Sequence, residues 1–224
     1  MNDKWRPVLA ELVGTFIFFF IGAGAIVTDS FTHGAVGLIG VALAHGLVLA
    51  VMVSAFGAIS GGHFNPAVTV GAWVARKVDL PTVATYIIAQ LIGGSMAGFL
   101  LKTIFPEAVW QAVHLGTPAL AVGVPPILGL MLEAVLTFIL MMAVLGTAID
   151  ARAPKIGGFG IGLAVAVDIL VGGPITGAAM NPARVFGPAL AAGFWENHWI
   201  YWVGPIAGAS FASWLYTRFL SKTI

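Results

Sequence analysis

The sequence contains no cysteine and few charged residues, and these two shortages limit the functions that the chain can have. Of its 224 residues, 8% are Asp, Glu, Lys or Arg, and none is Cys. Without cysteine the chain has no disulfide, no thiolate nucleophile and no cysteine-ligated zinc. Soluble domains contain about 25% charged residues, so this composition excludes an ordinary soluble domain. The net charge of +1 argues against a nucleic-acid surface, which needs clustered basic residues.

Apolar residues are abundant instead, at 59% of the chain, and the mean hydropathy is +1.01. A transmembrane helix needs about 20 apolar residues, and the sequence holds six apolar stretches of about this length. We predict membrane spans at 8–28, 35–57, 82–105, 124–148, 157–174 and 199–220. Two further segments, 65–75 and 181–192, begin with Asn-Pro and are too short to cross a membrane. The composition therefore predicts an all-α membrane protein.

The basic residues predict the orientation, because lysine and arginine accumulate on the cytoplasmic side of membrane proteins. With six spans and both termini in the cytoplasm, eight of the ten basic residues fall on that side: Lys4, Arg6, Arg76, Lys77, Arg152, Lys155, Arg218 and Lys222. Lys102 and Arg184 remain. The first apolar stretch follows a polar start as in a signal peptide, but it is long enough to span, and we interpret it as the first span.

The sequence contains an internal repeat. Residues 60–67 (SGGHFNPA) are echoed by residues 176–183 (TGAAMNPA), 116 positions later, and Gly71 and Gly187 keep the same offset. Each half holds three spans, so the second half must enter the membrane from the opposite side, as in an inverted repeat with its site near the midplane. We predict one channel domain, residues 1–224, with inverted repeats at about 5–110 and 124–224.

The paired Asn-Pro-Ala motifs are typical of half-helix starts. Proline suits the first turn of a helix, and the preceding asparagine caps it. Asn65 and Asn181 then face one point, with their amides free to donate, and both helix dipoles place positive ends there, which repels cations and protons. We expect the preceding residues to run extended and to supply a row of carbonyl acceptors, from Gly61, Gly62, His63, Phe64, Gly177, Ala179 and Met180. Such a lumen suits a single file of water.

These motifs resemble the aquaporin (major intrinsic protein) family across the whole chain. The residues that carry the resemblance are Asn65, Pro66, Ala67, Asn181, Pro182 and Ala183, their flanks at 60–69 and 177–188, the segment 198–205, and Glu11 and Glu133. The resemblance implies six transmembrane helices plus two re-entrant half-helices. It also implies a homotetramer with one pore per protomer, through which small uncharged solutes pass down their gradients.

The resemblance also implies a selectivity filter of four residues: His45, Ile169, Ala178 and Arg184. Arg184 supplies fixed positive charge and donors, His45 a second polar edge, and the other two an apolar wall. Val185 and the lack of an aromatic residue at these positions differ from glycerol-conducting relatives. The set is similar to that of plant tonoplast intrinsic proteins, which are associated with ammonia as well as water, so strict water selectivity stays open.

Further candidates are ionisable residues within or near the spans. Glu11 and Glu133 mark an ion pathway by default, but their symmetry favours a role as acceptors that brace the re-entrant loops. Asp168 is expected to bond loop residues, or loop 106–123 with His114, at the outer mouth. For His114 a solvated loop position is favoured over a gate, and for His63 a loop brace is favoured over a pore group.

We therefore expect a passive channel for water, with ammonia or hydrogen peroxide as further solutes, and neither enzymatic activity, cofactor nor metal. Its partners are the lipid bilayer and copies of itself, without nucleic acid, and the short tails suit a prokaryotic plasma membrane. Two alternatives stay open: a facilitator for neutral solutes such as ammonia or glycerol, and a proton-coupled transporter that uses Glu11, Glu133 and Asp168.

Overall fold

The structure is a computed structural model that describes residues 5–154 and 156–221, and within these ranges the regular elements are helices without strands. The α-helices are α1 (Trp5–Phe31), α2 (Gly37–Ser60), α3 (Pro66–Val74), α4 (Leu80–Ile104), α5 (Glu107–Ala112), α6 (Pro126–Val144), α7 (Phe159–Thr176), α8 (Pro182–Ala192) and α9 (Ile200–Leu215). Three residues used to predict the orientation, Lys4, Lys155 and Lys222, lie outside the described residues.

The six predicted spans correspond to α1, α2, α4, α6, α7 and α9. Five of them are long and apolar enough to cross a membrane, with α6 counted together with the π-helical turn that extends it to Ile149. The sixth, α9, has 16 residues and continues as a second π-helical turn over Tyr216–Leu220. The all-α membrane fold predicted from the apolar stretches is therefore present.

The long helices carry apolar residues on their outer faces as well as toward the interior. In α2, only 28% of the most apolar 18-residue window is buried within the protein, and Ile39 on this helix is 68% exposed. A helix that is hydrophobic all round belongs in a protein core or in a membrane. The outer faces are therefore suited to contact lipid rather than water.

The two short helices, α3 and α8, begin at the Asn-Pro dipeptides and have nine and 11 residues. Asn65 has extended backbone angles, and its side-chain oxygen accepts from the backbone N–H groups of Ala67 (2.8 Å) and Val68 (3.4 Å). Asn181 caps α8 in the same way. At 1.5 Å per residue, each helix is about half as long as a span, as the sequence predicts.

The packing of the long helices is alike in the two halves of the chain. In the first half α1 packs against α2 and α4, and in the second half α6 packs against α7 and α9. Across the halves, α2 packs against α7, α3 against α9, and α8 against α4. Each short helix is thus held by a long helix of the other half.

Glycines allow the closest of these crossings. A Cβ on Gly162 of α7 would overlap the carbonyl oxygen of Gly46 on α2, and a Cβ on Gly208 of α9 would overlap that of Ala134 on α6. Small residues let helices in membranes approach until their backbones touch. These close crossings therefore require glycine, because any side chain at these positions would collide with the neighbouring helix.

The connection between α4 and α6 contains structure that the sequence analysis did not predict. The short helix α5 and a 3₁₀ turn at His114–Gly116 lie in this connection. Lys102 places its ammonium 4.7 Å from the centre of the Trp110 ring and donates a 2.7 Å hydrogen bond to the carbonyl of Ala191. A cation is favourable at a helix C-terminus. Lys102, which is not among the eight basic residues on the predicted cytoplasmic side, therefore caps the C-terminal end of α8.

Candidate functional site

The two short helices meet with their N-termini facing each other at the centre of the protein. The Asn65 amide nitrogen donates to the carbonyl of Met180 (2.8 Å), and the Asn181 amide nitrogen donates to the carbonyl of Phe64 (2.9 Å). Each amide has two N–H groups, so one is used between the segments and one is left. We predicted that the amide groups of Asn65 and Asn181 are free to donate into the lumen. In the structure one N–H group of each amide is instead bonded to the opposite segment.

The segments that lead into α3 and α8 are not extended, which contradicts the sequence prediction. Three residues in each have a positive φ, at matching places in the repeat: Gly61, Gly62 and Phe64 in the first segment, and Gly177, Ala178 and Met180 in the second. Left-handed residues turn the chain, and non-glycine residues adopt this conformation at a cost of about 1–2 kcal/mol each. Surrounding hydrogen bonds must therefore hold Ala178, Phe64 and Met180 in place.

Glu11 supplies these hydrogen bonds to the first segment. Its carboxylate accepts from the Ser60 hydroxyl (2.7 Å), from the backbone N–H groups of His63 (2.9 Å) and Phe64 (2.6 Å), and from the amide nitrogen of Gln90 (2.8 Å). The side chain is fully buried. The two backbone donors of the loop are therefore satisfied by a residue 52 and 53 positions away.

Glu133 occupies the same place against the second segment. It accepts from the Thr176 hydroxyl (2.7 Å) and from the backbone N–H groups of Ala179 (2.9 Å) and Met180 (2.7 Å). It is also fully buried. A carboxylate whose oxygens are occupied by loop donors has little capacity left for a passing ion, so this geometry argues against an ion pathway through either glutamate.

Two adjoining cavities, which together we call the lumen, lie within the protein. One, of about 680 Å³, opens beside Lys77 and Gly157, which we call the inner mouth after the predicted orientation. The other, of about 440 Å³, opens beside His114, which we call the outer mouth. Both cavities are bordered by Ile169 and Arg184. The two cavities therefore meet at these two side chains.

His45 binds the guanidinium of Arg184 where the two cavities meet. The His45 Nδ1 atom lies 2.8 Å from the carbonyl of Val41, and Arg184 Nε lies 3.2 Å from His45 Nε2. Because a carbonyl accepts only, Nδ1 carries the hydrogen and Nε2 accepts from the arginine. The Nη1 atom of Arg184 is buried without a partner in the part of the chain that the structure describes. Ile169 and Ala178 are buried beside it, at 3% and 0% exposure.

Three other candidates lie near the lumen. Asp168 is 3% exposed, and its Oδ2 atom has no hydrogen-bond partner among the described residues. The expected bonds from Asp168 to loop 106–123 are not formed. His114 is exposed and stacks on Phe194 with 3.9 Å between ring centres. His63 borders the inner cavity, and its Nδ1 atom lies 3.1 Å from the Thr69 hydroxyl.

Two asparagine-capped half-helices that meet inside six spans, beside a lumen open at both ends, are features of a membrane channel. The sequence matches the family described as "Major intrinsic protein" over residues 1–216. The chain belongs to this family. It is an integral membrane channel of the aquaporin type rather than an enzyme, which confirms the resemblance drawn from the motifs.

Individual relatives agree with the family assignment. The chain is 48% identical to "Aquaporin TIP4-4" from Zea mays, over 94% of this chain and 85% of that protein. It is 40% identical to "Aquaporin-8" from Mus musculus, over 92% of this chain and 78% of that protein. Among solved structures, the "aquaglyceroporin from Plasmodium falciparum" has a TM-score of 0.82 at 22% identity, with 96% of each chain covered. This last likeness shows the fold of the channel alone.

Two tyrosines of this channel form hydrogen bonds that were not predicted from the sequence. The Tyr86 hydroxyl donates to the carbonyl of Ser60 (2.9 Å), and the Tyr201 hydroxyl donates to the carbonyl of Thr176 (2.9 Å). These carbonyls lie where α2 and α7 end. The available signal was the spacing, because the two tyrosines stand 115 positions apart, close to the offset of the repeat.

Proposed function

We propose that this channel conducts water down its gradient, with ammonia or hydrogen peroxide as further small solutes. The observation that carries the proposal is the junction of two cavities at Ile169 and Arg184, where His45 holds the guanidinium. A constriction with few polar groups between two wider cavities admits small neutral molecules and rejects larger ones.

The proposed filter consists of His45, Ile169, Ala178 and Arg184. The unpartnered Nη1 atom of Arg184 offers a donor to a solute that has left its water shell. The side chains of Ile169 and Ala178 cannot replace the hydrogen bonds that a solute loses with its water shell. Only a small solute, which has few such bonds to lose, can therefore pass while it binds the arginine. The positive charge of the guanidinium repels cations.

Asn65 and Asn181, in their Asn-Pro-Ala motifs with Pro66, Ala67, Pro182 and Ala183, form the proposed centre of the lumen. One amide N–H of each asparagine is left after the bond to the opposite segment. Both helix N-termini place partial positive charge at this point. We propose that this field opposes protons and cations, while the two N–H groups donate to water.

The proposed acceptors along the wall are the carbonyl oxygens of Gly61, Gly62, His63, Gly177 and Ala179, all from residues that border one of the two cavities. Phe64 and Met180 were expected to contribute as well, but their carbonyls accept the opposite asparagine. We propose that Glu11 and Glu133 brace the two segments that carry these carbonyls. This bracing role explains two buried carboxylates without a proton-coupled mechanism.

We further propose that the channel is a homotetramer in a plasma membrane, with both termini in the cytoplasm. The apolar outer faces of the long helices support assembly within a bilayer. The basic residues Arg76 and Arg152 lie in connections at the end of the protein that holds the inner mouth, which supports the orientation.

Stopped-flow measurements on proteoliposomes test the proposed conduction. Water, ammonia and glycerol permeabilities are measured on one preparation, with empty vesicles as the control. We expect fast water flux with a low activation energy, exclusion of glycerol and no coupling to a proton gradient. Water flux equal to that of empty vesicles, or uphill solute movement driven by a proton gradient, would contradict the proposal and favour a transporter.

A further inference from the structure

The connection between α6 and α7 and the last turn of the described chain meet at one carboxylate. Asp150 is 6% exposed. Its oxygens accept from the Arg152 backbone N–H (2.9 Å), Nε (3.0 Å) and Nη2 (2.6 Å), and from the Tyr216 hydroxyl (3.0 Å). Arg152 Nη2 also lies 3.2 Å from the carbonyl of Leu220. We call Asp150, Arg152, Tyr216 and Leu220 the clasp.

The clasp joins two π-helical turns. The first, Leu145–Ile149, is followed directly by Asp150, and the second, Tyr216–Leu220, begins at the tyrosine of the clasp. A Cβ on Gly146 of the first turn would lie 3.7 Å from the Tyr216 hydroxyl, so the two turns are in contact. π-turns are rare and frequently occur at functional sites.

The first π-turn also borders the lumen. Thr147, Ala148 and Ile149 line the inner cavity near the inner mouth, so the position of this turn determines how wide that mouth is. We propose that Asp150, Arg152 and Tyr216 are positioning residues that hold the turn away from the lumen and keep the inner mouth open. When the clasp opens, Ile149 becomes free to move toward the lumen.

Hydrogen-bond geometry stabilises the clasp more than the attraction between its charges. The Arg152 side chain is 55% exposed, whereas that of Asp150 is 4% exposed, and solvent screens an ion pair with one exposed partner. The guanidinium binds both carboxylate oxygens with a planar fork, which lysine lacks. The hydrogen bonds from Arg152 hold the pKa of the Asp150 carboxyl well below its usual range, so the carboxylate stays ionised at neutral pH.

An arginine-specific protease tests the clasp on the full chain in vesicles. With Tyr216→Phe, cleavage after Arg152 should become about tenfold faster or more, because a hydrogen bond to an ionised carboxylate shifts an equilibrium by at least about this factor and cleavage follows the open population. Asp150→Asn should accelerate it further. Cleavage after Arg76, in the connection between α3 and α4, serves as the internal reference.

The same variants are measured for osmotic permeability per folded channel, which an ordinary stabilising role would leave unchanged. We expect a loss in both, and no further loss when Tyr216→Phe is added to Asp150→Asn. The matched control is Asp79→Asn, which also removes a carboxylate near the inner mouth; Asp79 caps α4 through Thr82 (3.0 Å), and asparagine caps equally well.

Cleavage after Arg152 at the parent rate in both variants, or unchanged permeability despite faster cleavage, would overturn the proposal. If Asp150→Asn does not fold, the Tyr216→Phe variant, which keeps the ring, decides by itself. The inference rests on the proposed conduction, but the two fail separately. A parent channel that conducts no water refutes the proposed function, while the cleavage rates still report whether the clasp holds the loop.

Discussion

Two sets of residues that are related by the repeat line the lumen with different side chains. With the offset of 116 positions, the proposed filter residues His45, Ile169, Ala178 and Arg184 correspond to Ile161, Val53, Gly62 and Val68. All eight border the inner cavity. One set contains a cation and a histidine, and the other is entirely apolar. The repeat therefore supplies the scaffold, and the departures from it supply the proposed selectivity filter.

The scaffold itself is the same in both halves. The capping asparagines have φ values of −157° and −156°, and each segment is held by one buried glutamate and one tyrosine. The first segment has an additional polar network, because Gln90 donates to both Glu11 (2.8 Å) and Thr69 (3.0 Å). At the position of Thr69 the second half has Val185. The first segment thus has a polar network behind the wall of the lumen, whereas the proposed filter has its polar side chains in the wall itself.

If the scaffold is shared, its two glutamates should be equally necessary. Glu11→Ala and Glu133→Ala should each abolish the folded channel, because each leaves three or four buried donors unsatisfied at about 1–3 kcal/mol apiece. Size-exclusion chromatography of detergent-solubilised protein measures the folded yield. The control is Glu107→Ala on the exposed helix α5. Tolerance of one glutamate variant but not the other would show that the two segments are stabilised differently.

If selectivity lies in the departures from the repeat, removing the two polar side chains should make the proposed filter resemble the apolar set that corresponds to it. His45→Ala combined with Arg184→Val should admit urea or glycerol, because the guanidinium no longer occupies the junction of the cavities. Stopped-flow light scattering with solute gradients measures this. Val68→Ala, at the matching position of Arg184, is the control and should leave solute exclusion unchanged. Continued exclusion by the double variant would refute the filter assignment.

The repeat-related glycines Gly71 and Gly187 should respond unequally to alanine. A Cβ on Gly187 would overlap the backbone of Gly94, whereas on Gly71 it would lie 2.9 Å from the flexible Met141 sulfur. Overpacking costs about 1–3 kcal/mol, so we expect the apparent melting temperature to fall for Gly187→Ala and to change little for Gly71→Ala.

Gly57→Ala is the reference for this pair, since nothing lies within 4 Å of the added Cβ and alanine is the better helix former. Equal losses at Gly71 and Gly187 would mean that the helix crossings tolerate more movement than their geometry suggests.

The smallest effect is expected from mild acid at the inner mouth. A carboxyl group whose pKa is lowered by folding stabilises the folded state above its unfolded pKa, about 3.9, and this contribution is lost as the pH falls through the folded pKa. For Asp150, whose pKa is lowered chiefly by hydrogen bonds from Arg152, that loss begins near the unfolded pKa and is complete only below the lowered folded pKa, so it is negligible at pH 5. Osmotic permeability should therefore be the same at pH 5 and pH 7.5 in the parent. A fall at pH 5 that Asp150→Asn removes would contradict this assignment.

Much of this architecture could be predicted from the sequence, because apolar length and repetition are local properties of the chain. The spans, the half-helix starts at Asn65 and Asn181, and the family follow from them. The left-handed conformations of Phe64, Ala178 and Met180 could not be predicted, because the carboxylates whose hydrogen bonds stabilise them lie far away in the chain. The bonds between the asparagine amides and the opposite carbonyls likewise depend on contacts between residues far apart in the chain.

The two amide–carbonyl bonds at the centre of the lumen bear on how the chain is made. They join residues 115 and 117 positions apart, one on each re-entrant segment. During synthesis the first segment emerges long before its partner exists, so Asn65 has no acceptor at its final position until the second half has inserted. The final docking of α3 is therefore a late step of biogenesis. Until the second half has inserted, the first three spans lack the bonds between the two re-entrant segments.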